Sequence, residues 1–325
     1  LDATTTGSYN TALGTAALTS NTTASYNTHV GQQAGYSNTT GPSNTSVGAG
    51  AFLDNTTGGY NATVGSNSLA NNTTGNFNSA LGFYALAANT TASSNTAVGY
   101  QALYANTTGT GNNSFGRGSL DANTTGNYNT AFGHVALSTN VSGGGNTAFG
   151  SQVLYNTTGG GNTAVGDTAG YAVTSGSNNL FLGNEAGRTG SPGGNYTTES
   201  NHIVLGNASI AEAHIQVDWT VASDQRDKTD FTDLDLGLDF VKALAPVTYK
   251  WDKRSKYGDK TADDYDLLDQ TPDGTHKEDW LDIGFKAQEV EALEQAAGYN
   301  KSNKTNLMSS HTGDGKQMGL QYSKF

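Results

Sequence analysis

An asparagine, an apolar side chain three places on and a glycine recur along the first two thirds of the chain at a spacing of seventeen residues: Asn10/Leu13/Gly14, Asn27/Val30/Gly31, Asn44/Val47/Gly48, Asn61/Val64/Gly65. The pattern continues through Asn78/Leu81, Asn95/Val98, Asn112/Phe115, Asn129/Phe132 and Asn146/Phe149. It slips by one at Asn162/Val165 and resumes at Asn179/Leu182, which makes eleven copies. A second apolar point, an Ala-Leu or Ser-Leu pair such as Ala17-Leu18, Ser68-Leu69, Ala85-Leu86 or Ala136-Leu137, ends four residues past the glycine, and Asn-Thr-Thr follows. Thr and Val favour pleated backbone, whereas Gly and Asn accept the positive φ of tight corners, so each copy predicts two short strands and two turns. Helix is excluded because a glycine interrupts every window of helical spacing.

A unit that buries about three modest apolar side chains cannot stand alone, but stacked copies pair each strand with the rung above and below. The predicted fold is mainly β: a trimeric β-solenoid shaft over residues 1–188, with three chains about one axis and the Val/Leu/Phe points turned toward it. Residues 189–222 read as an irregular linker with strands: a Gly/Pro/Ser/Thr loop at Thr189–Ser200, a displaced strand at His202–Gly206 and an extended stretch at Ala213–Val221. From 223 to 325 the grammar becomes that of a small mixed α/β domain. A helix is predicted over Leu234–Leu244 and ended by Pro246, then a strand at Val247–Trp251 and an exposed loop over 252–279. Ile283–Phe285 leads into a helix over Lys286–Ala297 with Ala287, Val290, Leu293 and Ala297 on one face, and Lys316–Tyr322 reads as a last strand.

Composition narrows the function. There is no cysteine, so neither disulfides nor thiolate metal sites support the chain. Of 16 basic and 28 acidic residues, only Arg117 and Arg188 and eight acidic ones fall before residue 223, a balance that does not attract nucleic acid. No apolar run is long enough to cross a bilayer and no signal segment opens the chain, so no membrane insertion is expected. A start at Leu1 and an end at Phe325 suggest a portion of a longer product. The six histidines are scattered and the glycines precede no helix, so no metal, phosphate loop or cofactor is predicted.

The one candidate for chemistry is Ala222-Ser223-Asp224-Gln225-Arg226-Asp227-Lys228. A neutral lysine five residues from a serine can act as its base, and the nearest target is the peptide bond between Ala222 and Ser223. The competing reading is a turn capped by Ser223-Asp224, with Lys228 paired to Asp224 or Asp227. Ser223-Asp-x-Arg-x-Lys228-x-x-Phe231, Pro246-x-x-Tyr-x-Trp251, Ile283-Gly-Phe-x-Ala-Gln-Glu-Val290 and Leu320-x-Tyr322 occur in this order. Together they resemble the C-terminal intramolecular chaperone of phage tail spikes, tail fibres and endosialidases. The resemblance implies a domain that drives trimerisation of a fibre and then cuts itself off in a single turnover. Ser223 would be the nucleophile, Lys228 the base and Ala222-Ser223 the cleaved bond. Asp224, Arg226, Gln288 and Glu289 would support the site. The repeats resemble, more loosely, the stalks of trimeric phage fibres and bacterial adhesins.

The function expected from this is a structural fibre of a phage-type tail fibre or spike, located on a virion or another extracellular surface. It would partner itself as a homotrimer and adhere to a host glycan or receptor. The alternatives are a cellular trimeric adhesin with the same maturation domain, or an ice- or glycan-binding solenoid. Glycan degradation is disfavoured because the shaft offers no carboxylate pair in a varied groove. The Asn-x-Thr triplets at Asn21, Asn38, Asn55, Asn72, Asn89, Asn106 and Asn123 match glycosylation acceptors, but their strict period points to a corner ladder instead.

Overall fold

The computed structural model describes residues 3–210, 238–258, 266–299, 308–311 and 318–320. The chain divides into two compact units, one of residues 1–191 with 195–207 and one of 192–194 with 208–325.

The first unit is a β-solenoid. Twelve three-residue strands run from Thr11–Leu13 (β1) to Leu180–Leu182 (β11) and Ile203–Leu205 (β12), in one parallel sheet whose order is the order of the chain. The repeat sets the register: Thr11 lies opposite Thr28 and Leu13 opposite Val30. The one-residue slip is absorbed in the corners, since Thr163 still faces Thr147 and Val165 still faces Phe149. The displaced strand completes the sheet, with Leu180 opposite Ile203, so the segment between β11 and β12 is an insertion within the last rung. Twelve strands at the usual spacing make a sheet about 53 Å long.

Each rung holds one strand, not the two expected. The Ala-Leu point is a turn, and Leu18, Leu69, Leu86, Leu103, Leu120, Leu137 and Leu154 all have φ between 49° and 55°. Left-handed backbone costs a non-glycine residue about 1–3 kcal/mol. Here it swings a whole leucine side chain into the interior, where these residues are fully buried, and that burial offsets a cost of this size. Hydrogen bonding between rungs survives the turn, as from Leu18 N–H to the Ala34 carbonyl at 3.0 Å.

The interior of a rung is the middle strand residue and the residue six places later, as in Ala80/Leu86, Ala97/Leu103 and Ala131/Leu137. The Val/Leu/Phe points, third in each strand, face out of the solenoid. Most are exposed, from 37 % at Val47 to 66 % at Leu13 with Val64, Leu81, Phe132 and Phe149 between, while Val30, Val98 and Phe115 are half-buried. They form a continuous apolar ridge in which the rings of Phe115, Phe132 and Phe149 stack at 4.3 and 5.3 Å.

Two asparagine ladders bind the corners. In one, Asn44 N–H donates to Asn27 Oδ1 at 2.8 Å, and Asn44 Nδ2 donates to the Gly58 carbonyl of the next rung at 2.9 Å. In the other, side-chain amides join end to end: Asn55 Nδ2 to Asn38 Oδ1 at 2.7 Å, Asn72 to Asn55 at 2.8 Å, Asn89 to Asn72 at 2.7 Å. The Asn-x-Thr asparagines are this second ladder and are buried, so in the folded shaft they are not open to glycosylation. Beside them a threonine of each rung donates to the backbone of the next, as Thr56 Oγ1 to the Thr73 carbonyl at 3.0 Å. The strand-end glycine is required by close approach: a Cβ on Gly65, at φ +133°, would lie 2.4 Å from the Gly82 carbonyl oxygen.

In the second unit a helix at Leu238–Ala243 (α1) precedes strand Val247–Tyr249 (β13), which pairs antiparallel with Asp282–Gly284 (β14). Helix Ala287–Ala296 (α2) follows, then Ser309–His311 (β15), antiparallel to Met318–Leu320 (β16). Pro246 ends α1 as expected, although the predicted start at Leu234 lies outside the described residues. Among its described residues the loop over 252–279 has single turns of 3-10 helix at Arg254–Lys256 and Leu267–Asp269. Strand β15 carried no periodic signal and was not expected.

Candidate functional site

Ala222, Ser223, Asp224, Arg226 and Lys228 all lie outside the described residues. The described part of the candidate site is α2 and the elements against it. The helix opens after Lys286, whose backbone is still extended (φ −81°, ψ 118°), and carries Glu289 in its first turn, where the N-terminal end of the helix dipole favours a carboxylate. Lys286 Nζ and Glu289 Oε1 are 2.6 Å apart with both side chains more than half exposed, so the pair is a solvated surface contact of little energetic weight. Gln288 is exposed as well.

Val290 and Glu294 are the buried residues of α2, at 2 % and 1 % exposure. Glu294 stands on the apolar face predicted from Ala287, Val290 and Ala297. Its carboxylate accepts from the backbone N–H groups of Met308 and Ser309 and from Ser309 Oγ. A buried carboxylate that accepts from three donors at once is a specific fastener, because charge-assisted hydrogen bonds are the strong ones. It ties the start of β15 to α2. The spacing of four from Val290 was the only sequence signal for this role.

Beside this contact the second unit has an open hollow of about 510 Å³, bounded by Tyr249, Trp251, Phe285, Gln288, Met318 and Leu320. It brings Gln288 next to the Pro246-x-x-Tyr-x-Trp251 motif. Trp251, Trp280, Leu281 and Ile283 are 45–78 % exposed in the single chain. Among the described residues no group of histidines and carboxylates could hold a metal ion, and no helix is long and apolar enough to cross a membrane.

The family model described as chaperone of endosialidase matches residues 223–299, beginning at the candidate nucleophile and ending just past α2. No curated protein and no solved structure matches the chain. A twelve-strand β-solenoid followed by a segment similar to this chaperone fits a fibre of the tail-fibre type with an endosialidase-type maturation domain.

Proposed function

We propose that the chain is a homotrimeric phage-type fibre whose segment from Ser223 onward sets the register of three shafts and then removes itself. The observation that carries this reading is the sequence of parts. A shaft with an exposed apolar ridge along its sheet is followed by a chaperone match that begins at Ser223. Identical rungs can pair in many registers, and a C-terminal domain that aligns three chains first removes that ambiguity. Burying the ridge of Val47, Val64, Leu81 and Phe132 against two other chains also supports a closed assembly.

In the cleavage step Lys228, as the free amine, takes the proton of Ser223 Oγ while the oxygen attacks the carbonyl carbon of Ala222. The amide bond to the Ser223 nitrogen breaks as an ester to Oγ forms, and the nitrogen leaves as an amine with the proton handed on by the Lys228 ammonium, which becomes the free amine again. Water then cleaves the ester, which leaves a carboxylate on Ala222 and restores the hydroxyl. Burial favours the neutral form of a lysine, and assembly would supply that burial. The mature trimer, freed of its chaperone, would be held by a high barrier to unfolding and would serve in adhesion to a host surface. Sedimentation of the purified chain tests the assembly: a trimer is expected for the wild type and a folded monomer for the ridge variant Val64→Asp/Leu81→Asp. A wild-type monomer would reject it.

A further inference from the structure

One outward column departs from the repeat. The residue after the strand-end glycine is small or polar in most rungs, but over four successive rungs it is Phe83, Tyr100, Arg117 and His134. The rings of Phe83 and Tyr100 stack 5.8 Å apart with planes 7° from parallel. Tyr84 meets Phe83 edge-on at 4.4 Å and Tyr104 at 5.9 Å, which joins four rings into one cluster. Phe83, Tyr100 and Tyr104 are each 40–46 % exposed. On the next two rungs Arg117 Nη1 lies 2.9 Å from His134 Nε2.

The shaft does not need this cluster to stand, since neighbouring rungs carry Ala49, Ser66 or Ser151 at the same point and keep the same strand register. The charge is also out of place. Only two basic residues lie in the shaft, and the other, Arg188, is held by Glu185 at 3.3 Å and covers the Tyr171 ring. Arg117 is exposed and, among the described residues, pairs with no carboxylate. A guanidinium with one N–H directed at His134 keeps further N–H groups free, in a fork that fits a carboxylate. From Phe83 to His134 the column spans three strand spacings, about 14 Å.

We infer that this column is a binding site for a saccharide, carboxylated in preference to neutral. The C–H faces of pyranose rings lie on Phe83, Tyr100 and Tyr104, and the acid group of an adjoining ring is taken by Arg117 beside His134. Stacked, half-exposed rings offer apolar area at little conformational cost, and an unpaired cation at one end supplies direction. The inference deepens the adhesion reading and rests on it for the source of the sugar alone.

The test uses the full chain on immobilised polygalacturonate, alginate and amylose, with oligomeric state measured on the same sample and folding checked by circular dichroism. The wild type should bind the two acidic polymers at least ten-fold more tightly than amylose. Tyr100→Ala should weaken binding to all three by ten-fold or more, Arg117→Gln should abolish the acidic preference, and Thr15→Ala in the same column should change nothing. Absence of binding to every polymer, or binding that Tyr100→Ala and Arg117→Gln leave unchanged, overturns the site. A trimer that binds no polymer overturns this inference and leaves the fibre reading standing, whereas binding by a monomer supports the site and rejects the fibre.

Discussion

His29 occupies the space that a side chain on Gly35 would need: a Cβ at position 35 would lie 2.4 Å from His29 Nδ1. The two are the middle-strand residue and the residue six later, the pair that is Ala and Leu at Ala80/Leu86, Ala97/Leu103 and Ala131/Leu137. The same exchange is made at the far end, where a Cβ on Gly187 would lie 2.5 Å from the Phe181 ring. Between them the rung of Ser46 takes Phe52, which stacks on His29 at 6.2 Å. At the His29 and Phe181 rungs the two contributors thus trade size within a closely packed interior.

This relationship predicts strong coupling. His29→Ala alone leaves a cavity and should cost about 2–4 kcal/mol, and Gly35→Leu alone overfills the rung at a cost of about 1–3 kcal/mol. The double variant restores the Ala/Leu pair, and leucine already occupies left-handed backbone at equivalent points. It should recover most of the loss, giving a coupling of about 2 kcal/mol or more in denaturant unfolding. Additive losses would show that the two sites do not share one volume.

His29 also makes the shaft sensitive to acid. Burial pushes its imidazole down to about 4, and its Nε2 has no hydrogen-bond partner to receive a new proton's N–H. Above pH 6.5 neither the folded nor the unfolded chain holds the proton. Between 6.5 and about 4 only the unfolded chain takes it up, so stability falls over that window by about 3 kcal/mol, and below 4 the histidine adds no further slope. The difference in unfolding free energy between wild type and His29→Ala/Gly35→Leu, measured from pH 7.5 to 4, should show this slope. A constant difference would contradict it.

The end-to-end amide ladder should be intolerant at its centre. Asn72→Ala removes the donor to Asn55 Oδ1 and the acceptor for Asn89 Nδ2, both buried. The expected loss is about 2–4 kcal/mol. Substitution of the exposed ridge residue Val64 by Thr should cost far less in a single chain, and thermal unfolding of the two variants makes the comparison.

The period, the parallel stacking and the strand register were legible because a fixed spacing of seventeen dictates which residues face each other. The asparagine ladder was legible from the same strictness. The second strand was misjudged, since Ala-Leu reads as extended backbone and nothing local signals that a leucine such as Leu86 will accept φ 55° to reach the interior. The His29/Gly35 exchange was not read from the sequence, because it has meaning only once the two positions are known to share a rung. In the second unit the α2 pattern was legible, yet Glu294 on its apolar face reads as a solvent-side residue until the β15 donors are in place. Removing that carboxylate should unfasten β15: Glu294→Ala takes away the acceptor of the Met308 and Ser309 donors and is expected to lower the yield of assembled shaft, measured by sedimentation of the purified chain.

Self-removal at Ser223 is read from the mass of the mature product. The chain and its Ser223→Ala variant are expressed with the native C-terminus and compared by denaturing gel and mass spectrometry. The wild type should yield fragments ending at Ala222 and beginning at Ser223, while the variant assembles but stays whole. Two full-length products, or cleavage at another bond, would contradict it.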